Sequence, residues 1–187
     1  MNVSIIRKSG ELFCATELVR RSGNTSMLRA KRRDSVIIPF GSDSVHVRDQ
    51  APLYENNIEF DQGLTFADWI EVLNGHVFFW PGTKKGPIGY GQRHFEKYRL
   101  SSPCMLRIEF NAIVAANTME PRFSKYNSGS PRCSKGNRSP RGIGTFVLSE
   151  EASFAPSACV EVTFLKQVKL PEEVYISKSP NGSWQRL

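Results

Sequence analysis

Residues 74–82 read Asn-Gly-His-Val-Phe-Phe-Trp-Pro-Gly, the most apolar short run in the middle of the chain, with a turn signal at each end. Asn74-Gly75 closes whatever precedes the run, and Pro81 stops a strand ladder because proline has no N–H to give. Between them Val77, Phe78, Phe79 and Trp80 have the β-branched and aromatic composition of a strand covered on both faces. This run is expected to be the central strand around which the other elements pack.

Upstream of it, Thr65 reads as an N-cap for a helix over residues 66–73, with Asp68 standing in for the capping-box glutamate. Phe66, Trp69, Ile70 and Leu73 recur at helical spacing, so that helix buries one face. Residues 35–40 and 45–47 are two strands about a turn at Gly41-Ser42-Asp43. The second runs into Arg48-Asp49-Gln50. A guanidinium there can fork onto a phosphate while the Asp and Gln fix it or contact sugar hydroxyls, or the three can tie a loop down internally. Nearer the start, residues 2–9 suggest a helix stopped by Gly10, and Thr16 caps or begins a second one ending at Gly23. The basic run over residues 20–33 reads as a solvated face.

Downstream, Pro87 is placed to open a helix towards Tyr98. Residues 104–110 alternate as a half-exposed strand, and Asn111 is placed to cap a short helix over residues 112–116. Residues 121–141 differ in kind: Arg122, Lys125, Arg132, Lys135, Arg138 and Arg141 stand among Ser, Gly, Asn and Pro with no acidic residue. So little apolar surface predicts a long loop, and Phe123 and Tyr126 give it aromatic faces amid positive charge. That pairing favours ligand or nucleic-acid contact. Residues 145–148 and 158–165 read as strands. Alternation in the latter puts Cys159, Glu161 and Thr163 on one face and Val160, Val162 and Phe164 on the other. The Glu161 carboxylate then either faces water, which the pattern favours, or lines a cleft. A last strand is expected within residues 169–176, and the tail at Asn181-Gly182 is expected to be poorly ordered.

The whole, residues 1–187, reads as a single basic α+β domain, with a formal charge of +7. An anionic partner or a merely solubilising surface both fit that charge. Cys14, Cys104, Cys133 and Cys159 show no zinc spacing with His46, His76 and His94, so no metal is expected. Cys104 and Cys159 sit in apolar runs and read as small core residues. No run approaches the length of a spanning helix and the N-terminus lacks a signal-peptide core, so no membrane is expected and a reduced, cytoplasmic setting fits.

Arg48-Asp49-Gln50, the strand ending Phe79-Trp80-Pro81, Tyr126-Asn127-Ser128-Gly129 and Val160-Glu161-Val162 together resemble an uncharacterised bacterial family of small domains. In order and spacing the chain also resembles the DarT-type ADP-ribosyltransferases, toxins that transfer ADP-ribose from NAD onto DNA bases. That resemblance implies an ADP-ribosyltransferase-like fold of split β-sheets with flanking short helices, and NAD as substrate in the cleft. Glu161 would be the catalytic glutamate, and Arg48, with Asp49 and Gln50, would hold NAD. Tyr126, Asn127, Arg132, Lys135, Arg138 and Arg141 would form the loop that selects a nucleic-acid acceptor, and an antitoxin protein would be a partner. Both families usually begin with a strand bearing Tyr-His-Leu/Ile-Thr, whose histidine contacts NAD in the transferases. Here the sequence starts beyond it, so that strand is expected to be missing, and the resemblance implies an inactive protein should the start be truly truncated. Two alternatives are a non-catalytic nucleic-acid-binding module and a relative of RNA 2′-phosphotransferases, though the several His and Arg residues the latter needs are not evident.

Overall fold

Short elements follow one another along the computed structural model, which describes residues 2–61 and 63–187. The first helix, α1 (Asn2–Ser9), stops at Gly10, whose φ of 66° lies in the left-handed region that glycine alone enters freely. β1 (Glu11–Phe13) leads into α2 (Ala15–Arg21), for which Cys14 is the N-cap rather than Thr16. The Cys14 amide is committed to the Lys166 carbonyl at 2.7 Å, which fixes where the chain turns into the helix. β2 (Val36–Phe40) and β3 (Asp43–Val47) form the expected hairpin. Beyond β4 (Ile58–Phe60), helix α3 (Phe66–Asn74) opens on the expected capping box. The Thr65 hydroxyl accepts from the Asp68 N–H at 3.2 Å, and the Asp68 carboxylate accepts from the Thr65 N–H at 2.9 Å.

The apolar run forms β5 (His76–Phe79), followed by a two-strand ribbon, β6 (Gly82–Thr83) and β7 (Gly86–Pro87), and by α4 (Gly89–Lys97). β8 (Met105–Ile108) precedes α5 (Phe110–Ala115), which is capped by the Glu109 side chain rather than by Asn111. The remaining strands are β9 (Arg122–Ser124), β10 (Ser139–Arg141), β11 (Glu161–Leu165), β12 (Gln167–Lys169), β13 (Val174–Ser177) and β14 (Gln185–Arg186). The architecture is α+β, with several small separate sheets and short helices around them.

β5 is not the central strand. The three-stranded antiparallel sheet has the order β5-β11-β9, so β11 lies in the middle and β5 at an edge. The two faces of this sheet meet different cores. Val162, Phe164 and Val77 pack with Cys14, Ile113 and Val168 on one side. On the other, Phe78 and Phe146 pack with Trp69, Ile70 and Leu73 of α3. His76 belongs to this second core too, stacked on Phe146 at 4.5 Å. A third apolar cluster joins α1 and α2 to the β2–β3 hairpin through Ile5, Val19, Ile38, Val45 and Val47.

Several local expectations are corrected. Residues 121–141 are not one open loop: β9 and β10 occupy their ends, β10 pairs parallel with β4, and Lys135-Gly136 makes a tight turn between Ser134 and Asn137. Both turn residues have positive φ, 52° and 83°, as a two-residue hairpin turn demands. Residues 143–145 form a 3-10 turn rather than a strand, with only Val147 bridging to Phe123. The last strand is divided into β12 and β13, and the tail pairs with β13 as β14. Cys104 is exposed and Cys159 half-buried, so the buried cysteine is Cys14.

Candidate functional site

Glu161 opens the middle strand of the sheet, directly across from Ser124 of β9. Extending the β5–β11 register by one residue beyond Val162↔Phe79 places Trp80 opposite it on the other side. The alternation along β11 is as the sequence suggests, with Val162 and Phe164 on one face and Glu161 and Thr163 on the other. The polar face nevertheless turns inward: Glu161 is 4% exposed and Thr163 wholly buried. Alternation tells which side chains share a face, and here a helix and a returning loop cover that face.

A buried carboxylate is costly unless both oxygens find donors. Ser128 supplies two, its N–H to one oxygen at 3.2 Å and its hydroxyl to the other at 2.6 Å. The turn that brings Ser128 back beneath the sheet starts at the end of β9, where the Ser124 hydroxyl accepts from the Tyr126 N–H at 3.1 Å. Burial pushes the Glu161 carboxyl up to about 7, against the opposing pull of Ser128 and of the Arg141 guanidinium. The side chain is therefore balanced between acid and base at neutral pH.

Arg141 is 2% exposed, which separates it from the other cations of its segment. Its guanidinium donates to the carbonyls of Asn127 and Pro140 and to the Ser139 hydroxyl, and lies over the Tyr126 ring at 4.6 Å. Burial lowers its pKa while Glu161 raises it. Tyr126, Asn127 and Arg141 thus hold the Ser128 turn against Glu161. Arg132, Lys135 and Arg138 are exposed around the turn beyond, Lys125 is exposed just after β9, and none of the four has a carboxylate within 4 Å among the described residues.

The Arg48-Asp49-Gln50 set divides. Gln50 is internal: its amide oxygen accepts from the Arg32 N–H at 3.1 Å, and its amide nitrogen donates to the Asn74 side-chain oxygen at 3.2 Å. The same Asn74 oxygen takes the buried Arg32 guanidinium at 2.8 Å. Asp49 is engaged by the Ala51 N–H and by the Ser35 and Tyr98 hydroxyls. Burial pushes its carboxyl up, but those three donors and Lys97 outweigh it and hold the pKa below the ordinary value. Arg48 is left facing α4, with its guanidinium 4.1 Å from the Tyr98 ring centre and 3.2 Å from the His94 Nε2. His94 in turn packs on Trp80 at 4.6 Å. Arg48 thus reaches Trp80 through His94, and no hydrogen bond or ion pair joins it to Glu161 among the described residues.

Sequence reasoning missed Ser128, Trp80 and His94 as members of this region. Ser128 lay within a motif already singled out, but nothing in spacing shows that a serine will turn back onto a strand. Among the described residues no group of three or more His, Cys, Asp or Glu is arranged to hold a metal ion, and no helix is long and apolar enough to cross a membrane. Two surface recesses, one at Ile5, Arg21 and Phe40 and one at Ile6, Leu170 and Leu187, share no residue with the Glu161 site.

One family model matches the sequence, over residues 1–180, and its description is a family of unknown function (DUF7002). No curated protein matches, and no solved structure does.

Proposed function

The chain belongs to the family of unknown function DUF7002, and on that premise we propose that it transfers ADP-ribose from NAD to nucleic acid, with Glu161 at the reacting centre. The observation that carries this reading is the Glu161 carboxylate itself, buried in the middle strand with both oxygens held by Ser128. Sheets do not retain such a group for stability, since an apolar residue of similar size costs less to bury. Breaking the bond between nicotinamide and ribose builds positive charge on the sugar, and a fixed carboxylate stabilises that charge. The ionised form also takes the proton of the acceptor. Arg48, half-buried and without a carboxylate, suits the phosphates of NAD. Lys125, Arg132, Lys135 and Arg138 suit the backbone of the acceptor.

The test is incubation of the protein with labelled NAD and either DNA or RNA. Label is expected on the nucleic acid, falling at least a hundredfold in Glu161→Gln, with the rate rising as pH passes through about 7. Absence of transfer at every pH, or transfer undiminished in E161Q, would overturn it. A second reading, a nucleic-acid-binding module without chemistry, is favoured by the four exposed cations of the 125–138 segment. Binding without transfer would select it. On the first reading the protein would act as a toxin, and an antitoxin protein would be its partner.

A further inference from the structure

We infer that Arg48, His94 and Trp80 form an anion site that takes the phosphate or diphosphate of a nucleotide together with one proton from solution. The cluster is assembled from three separate parts of the fold. Arg48 directly follows β3, Trp80 directly follows β5, and His94 is on α4. The Arg48 guanidinium lies 4.1 Å from the Tyr98 ring centre and, among the described residues, its side chain has one hydrogen bond, from Nη1 to the His94 Nε2 at 3.2 Å. No carboxylate lies within 4 Å of it among the described residues. Asp49, the nearest in sequence, is taken up by Ala51, Ser35 and Tyr98. The other Arg48 N–H groups are not among the buried unpartnered atoms, so they remain open to an anion that can take a forked pair of them. Trp80 walls the site by packing on His94 at 4.6 Å, and its indole N–H is buried with no protein acceptor among the described residues.

The proton follows from the Arg48–His94 contact. Arginine does not give up its proton here, so the His94 Nε2 must accept, and the neutral ring carries its hydrogen on Nδ1. The groups facing His94 are Arg48 and Asp49 from the segment after β3, Trp80 from the end of β5, and Lys97 and Tyr98 from its own helix. Burial first, then Arg48 and Lys97, bring the imidazole down to about 4, and Asp49 opposes them only weakly. A phosphate seated on Arg48 reverses that balance. It cancels the charge of Arg48, and it accepts from both the guanidinium and a protonated His94. The proton comes from solvent and binds His94, and no other bond changes.

That the ligand is NAD rests on the proposed function, but the anion site does not. The experiment is calorimetric titration with ADP-ribose and with inorganic diphosphate at pH 5.5 and 7.5, in two buffers of different ionisation enthalpy. Binding of ADP-ribose is expected to be about tenfold tighter at pH 5.5 than at pH 7.5, with close to one proton taken up at pH 5.5 and little at pH 7.5, since each pKa unit by which binding raises His94 is worth up to a tenfold change in affinity. Arg48→Gln should weaken binding at least tenfold at both pH values, and His94→Gln should remove the pH dependence. NMR titration of the unaltered protein gives the same answer without a variant: the His94 ring should titrate near 4 alone and above 6 with ligand. Binding that takes up no proton, or that survives R48Q unchanged, would overturn the inference. These dependences without any ADP-ribose transfer would leave the site standing and remove the transferase reading. Transfer with no proton uptake and an unchanged KM in H94Q would do the reverse.

Discussion

The side chain of Glu161 exchanges hydration for two hydrogen bonds from Ser128, and its pKa shows that the exchange is incomplete. Folding raises the carboxyl from its ordinary 4.5 to about 7, so the folded protein binds this proton more tightly than the unfolded chain does. The resulting stabilisation is full below pH 4.5 and is lost as pH rises through 7. Glu161→Gln keeps an oxygen for Ser128 and cannot ionise. In urea unfolding its stability relative to the native chain should therefore increase by about 2 kcal/mol between pH 5 and pH 8, at about 1.4 kcal/mol per pKa unit. A difference that stays flat across that range would show that Glu161 is not held in low dielectric. Asn74 is a different case, since its amide joins Arg32, Gln50 and the Leu28 carbonyl. Asn74→Ala would leave the Arg32 guanidinium buried without that acceptor, and should cost about 3 kcal/mol in the same measurement, whatever the pH. Glu161 was legible only through the resemblance, because its own pattern favours a solvent face. An internal role for Gln50 was one of the two readings the sequence allowed, but its partners, 18 and 24 residues away, were not legible.

Elements governed by local chemistry were legible, and those governed by what covers them were not. Thr65 and Asp68 specify the start of α3 within four residues, and the structure repeats that specification atom for atom. Thr65→Ala removes the acceptor for the Asp68 N–H, and should lower stability by about 1 kcal/mol in denaturant unfolding. Thr65→Ser should be close to neutral, which distinguishes a lost cap from lost packing. The place of β5 in its sheet is the contrary case. Its Val-Phe-Phe run reports burial correctly, since one face meets the Phe164 cluster and the other the Trp69 cluster. Composition reports burial and not strand order. The middle position falls to β11 because β9 and β5 both return to it antiparallel, from far upstream in the chain. The 125–138 segment lacks apolar side chains, and sequence alone gives it no order. Its order comes instead from Arg141, Ser128 and the Lys135-Gly136 turn, contacts visible only once the strands are placed.

At the scale of the whole molecule, the charge of +7 has a direction. Arg29 is spent on Asp68 and Glu71, and Arg32 and Arg141 are buried in internal hydrogen bonds. Lys125, Arg132, Lys135 and Arg138 are exposed in the segment between β9, which pairs with Glu161, and β10. The same segment carries Ser128, the hydrogen-bond partner of Glu161. Each phosphate neutralised by a cation releases counterions, so affinity falls with salt in proportion to the number of such contacts. For single-stranded nucleic acid, the slope of log K against log salt should be about −0.7 per contact. Replacing Arg132, Lys135 and Arg138 together by Gln should flatten that slope by about 2 units while leaving the unfolding curve unchanged, because none of the three is part of the core. The measurement is fluorescence anisotropy of a labelled oligonucleotide between 50 and about 200 mM salt, the range over which phosphate contacts are resolved. A slope that survives the triple substitution would move the nucleic-acid surface elsewhere on the molecule and separate it from Glu161. A flattened slope would place backbone binding on the segment that also carries Ser128, the partner of Glu161, as transfer to nucleic acid requires.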